Sequence, residues 1–157
     1  MSRVTPFLWF NDQAEQAAEF YVSVIPNSRM LEVSRFAPDA PGQAAGVSRV
    51  RFLLDGVEVM ALNGGPMFPF TEAFSFSVSV DDQAEVDRLW DALTGDGGEP
   101  GQCGWLKDRW GLSWQIVPSA LDALIGDPDP ERANRAIQAM LSMGKLDIAA
   151  LRAAADG

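Results

Sequence analysis

One tetrapeptide occurs twice in this chain, and the repeat limits the folds that the chain can adopt. Asp-Gln-Ala-Glu stands at residues 12–15 and again at residues 82–85. Each copy follows an apolar run typical of a strand and precedes a helical spacing of apolar residues. A hairpin pattern follows in both halves. The repeat therefore predicts two β-α-β-β-β modules, which together can bury a sheet face that one module alone would leave bare.

The first half carries patterns for a strand, a helix and then three further strands. Apolar residues at spacings of three and four predict a helix over Asp12–Val24, which we expect Asn11 or Asp12 to cap. Asp55-Gly56 stands between two apolar, β-branched runs, which is a strong hairpin signal. The predicted strands are 4–10, 30–36, 47–54 and 57–62, and the Pro- and Gly-containing segment 37–46 is predicted to be a mobile loop.

The second half repeats this order and then adds helices. Apolar residues alternate with Ser over Ala73–Val80, which predicts a half-buried strand, and Asp81 or Asp82 is expected to cap the next helix. A turn-rich linker at 95–101 leads to a hairpin with strands at 104–107 and 112–117. Asp129-Pro130-Glu131 is typical of a helix start, Gly144 is expected to break that helix, and a last helix is predicted at 148–155 with frayed ends over 153–157.

These elements predict an α+β fold in a single domain, residues 1–157. Module one spans about 3–66, module two about 72–118, and a helical tail about 119–157. Two such modules can pair on a curved mixed sheet around a shared cavity.

The composition excludes several classes of protein. The 157 residues include no His and one Cys, so a Ser-His-Asp or Cys-His catalytic group, a disulfide within the chain and a zinc site with two Cys are all excluded. The net charge of −10 argues against a nucleic-acid partner. No apolar run approaches the ~20 residues that span a membrane, and the N-terminal residues do not resemble a signal peptide, so we expect a cytoplasmic protein.

Several motifs across nearly the whole chain resemble one known family. They are Thr5-Pro6-Phe7-Leu8-Trp9-Phe10, Phe20-Tyr21, Pro26-Asn27-Ser28, 61–66 (ALNGGP), 101–108 (GQCGWLKD), 111–118 (GLSWQIVP), Asp127-Pro128-Asp129-Pro130 and Gln138-Ala139-Met140-Leu141. The pattern is similar to the vicinal-oxygen-chelate (glyoxalase/bleomycin-resistance/dioxygenase) superfamily. Within it the pattern resembles the PhnB-like branch, labelled 3-demethylubiquinone-9 3-methyltransferase-like.

The resemblance implies a homodimer, with modules paired within the chain or across the dimer, but it does not imply the superfamily's metal. The four metal-binding positions fall near Thr5, Met60 or Ala61, Ser75 and Gln115, and none is His or a carboxylate. Neutral oxygens of this kind make a poor divalent site, so no metal and no cofactor are predicted. The first strand also leads to Asn11-Asp12 without the Gly-rich turn of a typical S-adenosylmethionine enzyme, which disfavours methyl transfer.

The same resemblance, combined with strand alternation, predicts a pocket for a small molecule. Its apolar walls would be Phe7, Trp9 and Trp105, and its neutral hydrogen-bonding groups Thr5, Asn63, Ser75, Gln102 and Gln115. For any one aromatic residue, core packing is the alternative interpretation. Alternation places Trp114 and Ile116 on the face opposite Ser113 and Gln115, so Trp114 is expected to pack against a helix.

No catalytic residue is assigned, and three hypotheses for function stay open. Cys103 is interpreted as a small buried residue because no His can serve as its base, although nearby Lys107 and Arg109 would favour a thiolate. Glu58, Glu72 and Asp108 form no defined pair and are expected to be solvated. The first hypothesis is a metal-free small-molecule-binding protein, the second an enzyme (a metal-dependent lyase or oxygenase, or the methyltransferase of the label), and the third an interaction module.

Overall fold

A computed structural model describes residues 2–39 and 46–157 of the chain. The chain divides into two compact units, Met1–Pro69 and Phe70–Gly157. The first unit corresponds to the predicted first module, and the second unit holds the predicted second module with the tail. Most of the segment predicted to be a mobile loop, residues 40–45, lies outside the described residues.

The described residues of the first unit form one helix and a mixed sheet of four strands. Its elements are β1 (Phe7–Phe10), α1 (Ala14–Val24), β2 (Arg29–Phe36), β3 (Gly46–Leu54) and β4 (Val57–Asn63). The strand order is β1-β4-β3-β2, with β1 parallel to β4 and the other pairs antiparallel. Asp55 and Gly56 both have positive φ, at 46° and 79°, which is the backbone of the tight two-residue turn that the sequence predicts.

The second unit contains a sheet of the same order, followed by three helices. Its elements are β5 (Ser75–Val80), α2 (Gln83–Thr94), β6 (Glu99–Pro100), β7 (Trp105–Lys107), β8 (Ser113–Pro118), α3 (Ser119–Ile125), α4 (Pro130–Leu141) and α5 (Ile148–Asp156). The order β5-β8-β7-β6 repeats that of the first sheet, again with one parallel pair. The predicted α+β fold with two β-α-β-β-β modules and a helical tail is confirmed, whereas β6 and α3 were not predicted.

Each sheet buries one face beneath the helix of its own module. In the first unit the buried strand residues are Leu8, Phe10, Val50, Phe52, Val59 and Ala61, and the buried residues of α1 are Ala14, Ala17, Ala18, Tyr21 and Val24. In the second unit the corresponding residues are Leu106, Trp114 and Ile116 on the sheet and Val86, Leu89, Trp90 and Leu93 on α2. Alternation along the strands leaves the opposite face of each sheet for other contacts.

The two copies of Asp-Gln-Ala-Glu begin their helices differently. Asp82 caps α2 as predicted, since its Oδ1 accepts a hydrogen bond from the Glu85 N–H at 2.8 Å. In α1 the N-cap is Gln13, which makes no side-chain cap bond, so the predicted cap at Asn11 or Asp12 is wrong. Asn63, at the end of β4, accepts from the Ala14 N–H at 2.8 Å instead. A strand end therefore satisfies a helix N–H that the local sequence leaves unpaired.

The tail packs on the second module and forms a small core of its own. Leu121, Leu146 and Leu151 are buried together, with Val117 and Met140 packed against them. Val117 lies on the same face of β8 as Gln115, so the tail covers part of the sheet face opposite Trp114 and Ile116.

Polar contacts fasten the tail to the second module. The backbone N–H groups of Cys103 and Gly104 donate to the carbonyls of Met143 and Gly144, both at 2.8 Å. The Gln83 amide donates to the Leu146 carbonyl at 3.0 Å and accepts from the Ile148 N–H at 2.8 Å.

The C-terminal turn of α5 is held by a contact from α4. Ala155 is buried, and the Arg135 guanidinium donates to its carbonyl at 2.6 Å. The helix continues to Asp156 through most of the segment 153–157, for which frayed ends are predicted, and an arginine from α4 satisfies its end. Within the described residues, no helix is long and apolar enough to cross a lipid bilayer.

Candidate functional site

The open face of the second sheet carries a row of neutral polar side chains. The strand register places Ser77 beside Gln115 and Gln115 beside Trp105. One step along, Ser75 lies beside Ser113. The Gln115 amide donates a hydrogen bond to Ser75 Oγ at 2.9 Å, so two of the predicted pocket residues are in direct contact.

Two pockets flank Trp105 on this unit. The first, here called the hairpin pocket, has a volume of about 430 Å³ and is lined by Glu72, Glu99, Pro100, Gly101, Gln102, Trp105, Leu106, Lys107 and Ser113. The second, here called the tail pocket, has a volume of about 390 Å³ and is lined by Ser77, Ser79, Cys103, Trp105, Gln115, Val117, Leu121, Asp122 and Met140. Trp105 is the residue common to both linings. Both volumes lie within the range of sites for small molecules.

The hairpin pocket combines an ion pair with a buried hydroxyl. The Lys107 ammonium forms an ion pair with Glu72. The hydrogen bond from Lys107 lowers the pKa of the Glu72 carboxyl, and the same bond raises the pKa of Lys107. Both groups therefore stay charged at neutral pH and offset each other. Ser113 is buried, and its Oγ has no hydrogen-bond partner among the residues that the structure describes.

The tail pocket differs in charge and in the origin of its walls. Asp122 is the one charged residue in its lining, and that residue comes from α3. The Ser77 and Ser79 side chains are exposed on β5, and Cys103 is half-buried in a turn with φ at 58°. This pocket offers hydroxyl, amide and carboxylate groups next to the apolar surface of Trp105 and Met140.

The remaining predicted pocket residues lie in the first unit. Phe7 and Trp9 share the open face of β1, where Phe7 is 50% exposed. The Trp9 indole N–H donates to the Gly65 carbonyl at 2.9 Å, and its ring meets the Phe68 ring edge-on at 4.9 Å. A Cβ at Gly64 would lie 2.2 Å from the Trp9 ring, so only glycine fits beneath this indole.

Thr5 and Asn63 complete the predicted set in that unit. Thr5 is half-buried and lies two residues before the start of β1. The side-chain Oδ1 of Asn63 accepts the hydrogen bond that caps α1, which gives this residue a structural function that was not predicted.

The sequence predicts a solvated Asp108, but the structure buries this residue in the turn between β7 and β8. Its exposed fraction is 2%, and its carboxylate accepts from the N–H groups of Trp110 and Leu112 at 2.9 and 3.1 Å. The Trp114 indole donates to the other oxygen at 3.0 Å. Through these bonds the Asp108 carboxylate stabilises the β7–β8 hairpin. Trp114 faces away from Gln115, as predicted.

Seven lining residues of the tail pocket were not among the predicted pocket residues: Ser77, Ser79, Cys103, Val117, Leu121, Asp122 and Met140. Ser77 and Ser79 share the alternation of Ser75, so the pattern of β5 held the signal that places them on the same face. Asp122 lies on α3, a helix that the sequence pattern did not predict. The sequence pattern places Met140 in the helical tail but not in the predicted pocket.

The superfamily's metal positions do not fit a divalent ion in this chain. They offer the hydroxyls of Thr5 and Ser75, the amide of Gln115, and a thioether or methyl group at Met60 or Ala61. Hard divalent cations need several charged or carbonyl oxygen ligands, and softer ones need imidazole or thiolate. Within residues 2–39 and 46–157 there is also no cluster of three or more His, Cys, Asp or Glu that could hold a metal ion.

The topology defines a class of protein: two mixed four-stranded sheets, each with the order of a β-α-β-β-β module, as in the glyoxalase-like fold. The family model described as 3-demethylubiquinone-9 3-methyltransferase matches residues 2–117. The chain belongs to this family, and with it to the PhnB-like branch of the vicinal-oxygen-chelate superfamily.

Solved structures share this fold. A PhnB protein from Bacillus cereus is 30% identical, with a TM-score of 0.69, and the match covers 75% of this chain and 100% of that chain. A protein from Pseudomonas aeruginosa is 24% identical, with a TM-score of 0.61 and coverage of 75% and 98%. The fosfomycin resistance protein FosX from Mesorhizobium loti, 12% identical with a TM-score of 0.51 and coverage of 74% and 90%, shares the fold. No curated protein matches the chain.

Proposed function

We propose that this chain is a metal-free, small-molecule-binding homodimer of the cytoplasm, with its ligand on the open face of the second sheet. The observation that carries the proposal is the position of Trp105 between two pockets, beside the hydrogen-bonded pair Ser75 and Gln115. An indole wall next to neutral donors and acceptors suits a small, partly apolar organic molecule. Cavities of this kind bind by shape and by a few placed hydrogen bonds, without a metal.

The opposite face of the same sheet supports this choice of site. It is filled by the buried residues Leu106, Trp114 and Ile116, which leave no room for a ligand. The predicted aromatic residues Phe7 and Trp9 lie on the open face of the first unit's sheet and line neither of these two pockets. Apolar side chains exposed on the tail, such as Leu141 at 60%, favour an interface between two copies.

The binding test uses the neutral, flat dye Nile red, whose fluorescence rises in an apolar site. Trp105→Ala is expected to weaken dye binding about tenfold, because an aromatic contact contributes on the order of 1 kcal/mol or more. The matched control is Trp110→Ala, since this indole lies in the neighbouring turn and lines neither pocket. Equal dye affinity in wild type and Trp105→Ala would refute a site at Trp105.

Native mass spectrometry of the protein as purified tests the other parts of the proposal. A dimer that carries a small organic mass and no metal is the expected spectrum. A monomer would refute the dimer, and a stoichiometric divalent metal would refute the metal-free site.

The description of the family supports a second candidate, an enzyme. This candidate is either a methyltransferase or a metal-dependent lyase or oxygenase of the superfamily. Calorimetric titration with S-adenosylmethionine, and with Mn²⁺, distinguishes it from the binding protein. Saturable binding of either at one site per chain would favour the enzyme over the first proposal.

A further inference from the structure

We propose that Asp122 makes the tail pocket select ligands that carry a cationic amino group. This inference rests on the proposed function, because it names the class of molecule that the site would bind. It also assigns selectivity to the tail helices rather than to the part of the chain that the family model matches.

The tail pocket is built from two parts of the sequence. The family model ends at residue 117, and the strands before that point supply the polar floor and Trp105. Leu121, Asp122 and Met140 lie beyond it and supply the remaining wall. A pocket wall from outside the matched region can give this chain a ligand preference of its own.

The charge of this wall is not balanced within the pocket. Asp122 is the one charged lining residue, and it forms no ion pair with any residue that the structure describes. In the hairpin pocket, by contrast, Lys107 balances Glu72. Asp122 is exposed at the edge of the cavity, where its carboxylate attracts a cation and repels an anion.

The backbone of this wall is held in place, so the point from which the Asp122 side chain extends has a defined position relative to the floor. Leu121, its neighbour on α3, is 5% exposed and packs in the tail core. The backbone bonds of Cys103 and Gly104 to the segment after α4 hold the tail against the β6–β7 turn. A charge on a rigid element selects between ligands better than a charge on a mobile arm.

The remaining lining indicates what the amino group is attached to. Trp105, Val117 and Met140 offer apolar surface, while Ser77, Ser79 and Gln115 offer neutral hydrogen bonds. A volume of about 390 Å³ suits a body the size of one or two rings. An aryl- or alkylamine of that size fits all three features: charge, apolar surface and volume.

Cys103 allows a direct test, because it lines the tail pocket and is the one cysteine of the chain. The measurement is its rate of modification by cationic and by anionic methanethiosulfonate reagents of matched size. Asp122→Asn is expected to lower the cation-to-anion rate ratio about fivefold. Glu99→Gln is the matched control, since it removes one negative charge from the hairpin pocket and is expected to change the ratio less than about twofold.

Protection of Cys103 by tryptamine or indole-3-acetate, at millimolar concentration, separates the inference from the proposed function. Protection by tryptamine alone, lost in Asp122→Asn, is the expected result. Equal protection by both compounds, or an unchanged rate ratio in Asp122→Asn, would overturn the selection of amines while leaving binding in place. Protection by neither would overturn the proposed binding in the tail pocket, whatever the rate ratio.

Discussion

The two modules share their strand order and their buried layer but differ on the open face of the sheet. In the first module that face carries Phe7 and Trp9, together with Arg51 paired to Glu32 and Glu58. In the second it carries the serines of β5 and Gln115, and the tail packs on part of it. The face beneath the helix is apolar in both modules, so the open face is the part in which the two copies have diverged.

The comparison shows which features a repeated fold constrains. Alternation and burial fix the residues under α1 and α2, because a polar side chain there would lose its hydration without a partner. The open face has no such constraint within its own module and can acquire pockets, ion pairs or a covering helix. Four matched comparisons of variants test how far the two modules differ.

The largest expected difference concerns the two hairpin turns. Asp108→Ala leaves the N–H groups of Trp110, Leu112 and the Trp114 indole without their acceptor, and we expect a loss of about 3–4 kcal/mol in the free energy of unfolding. Asp55→Ala, in the turn of module one, removes an exposed bond to Asn27 and is expected to cost about 1 kcal/mol.

Urea denaturation followed by tryptophan fluorescence measures both losses, because the first unit contains Trp9 and the second contains Trp90, Trp105, Trp110 and Trp114. Equal losses for Asp108→Ala and Asp55→Ala would show that the buried carboxylate does not stabilise its hairpin. The two turns would then be equivalent despite their different construction.

The second comparison concerns the glutamines of the two repeated tetrapeptides. Gln83 makes hydrogen bonds with the backbone of Leu146 and Ile148, whereas Gln13 makes no side-chain cap bond at the start of α1. We expect Gln83→Ala to lower the free energy of tail opening by about 2 kcal/mol, and Gln13→Ala to leave it unchanged. Hydrogen exchange of the α5 amides, read by mass spectrometry, measures that opening, and equal exchange in both variants would contradict a tail anchored by Gln83.

The third comparison concerns the helix caps. Asp82→Ala and Asn63→Ala each remove the side chain that accepts from the first turn of a helix, so each is expected to cost about 1 kcal/mol. Asp12→Ala removes the residue that corresponds to Asp82 but caps nothing, and its effect is expected within about 0.5 kcal/mol of zero. Exchange of the Glu85 and Ala14 amides by NMR reports each cap directly. A cost for Asp12→Ala as large as that for Asn63→Ala would place the cap of α1 in the tetrapeptide after all.

The helix caps also show which features local sequence patterns can predict and which they cannot. Periodicity predicted both modules, their buried faces and the tail, because a strand or helix pattern is local in the sequence. The cap of α1 was not predictable in this way, since its acceptor, Asn63, lies 49 positions from Ala14. The tetrapeptide is the same in both modules, but the acceptor for the first helical turn is Asp82 in α2 and the distant Asn63 in α1.

The candidate site was predicted unevenly for the same reason. Ser75, Trp105 and Gln115 follow from alternation and from the resemblance to the family. Asp122 lies on α3, a helix of seven residues that follows Pro118 directly and is too short for a clear periodic signal. The burial of Asp108 depends on three donors that converge only when its turn has formed.

The smallest expected effect is the pH dependence of the ion pair that joins the tail to α2. The Gln83 amide and then Lys145 lower the pKa of Asp87, whose carboxylate lies 2.9 Å from the Lys145 ammonium. Because the pKa of Asp87 is lowered in the folded protein, its ionised carboxylate stabilises the tail fully above about pH 4, the ordinary pKa of aspartate. This stabilisation disappears as the pH falls through the lower pKa of the folded state. We therefore expect wild type and Asp87→Asn to differ in the free energy of tail opening at neutral pH and to converge in acid.

Glu19→Gln, on α1, is the matched control and should give no difference at any pH. A difference between wild type and Asp87→Asn that persists undiminished in acid would show that Asp87 acts on the tail through packing rather than through its charge.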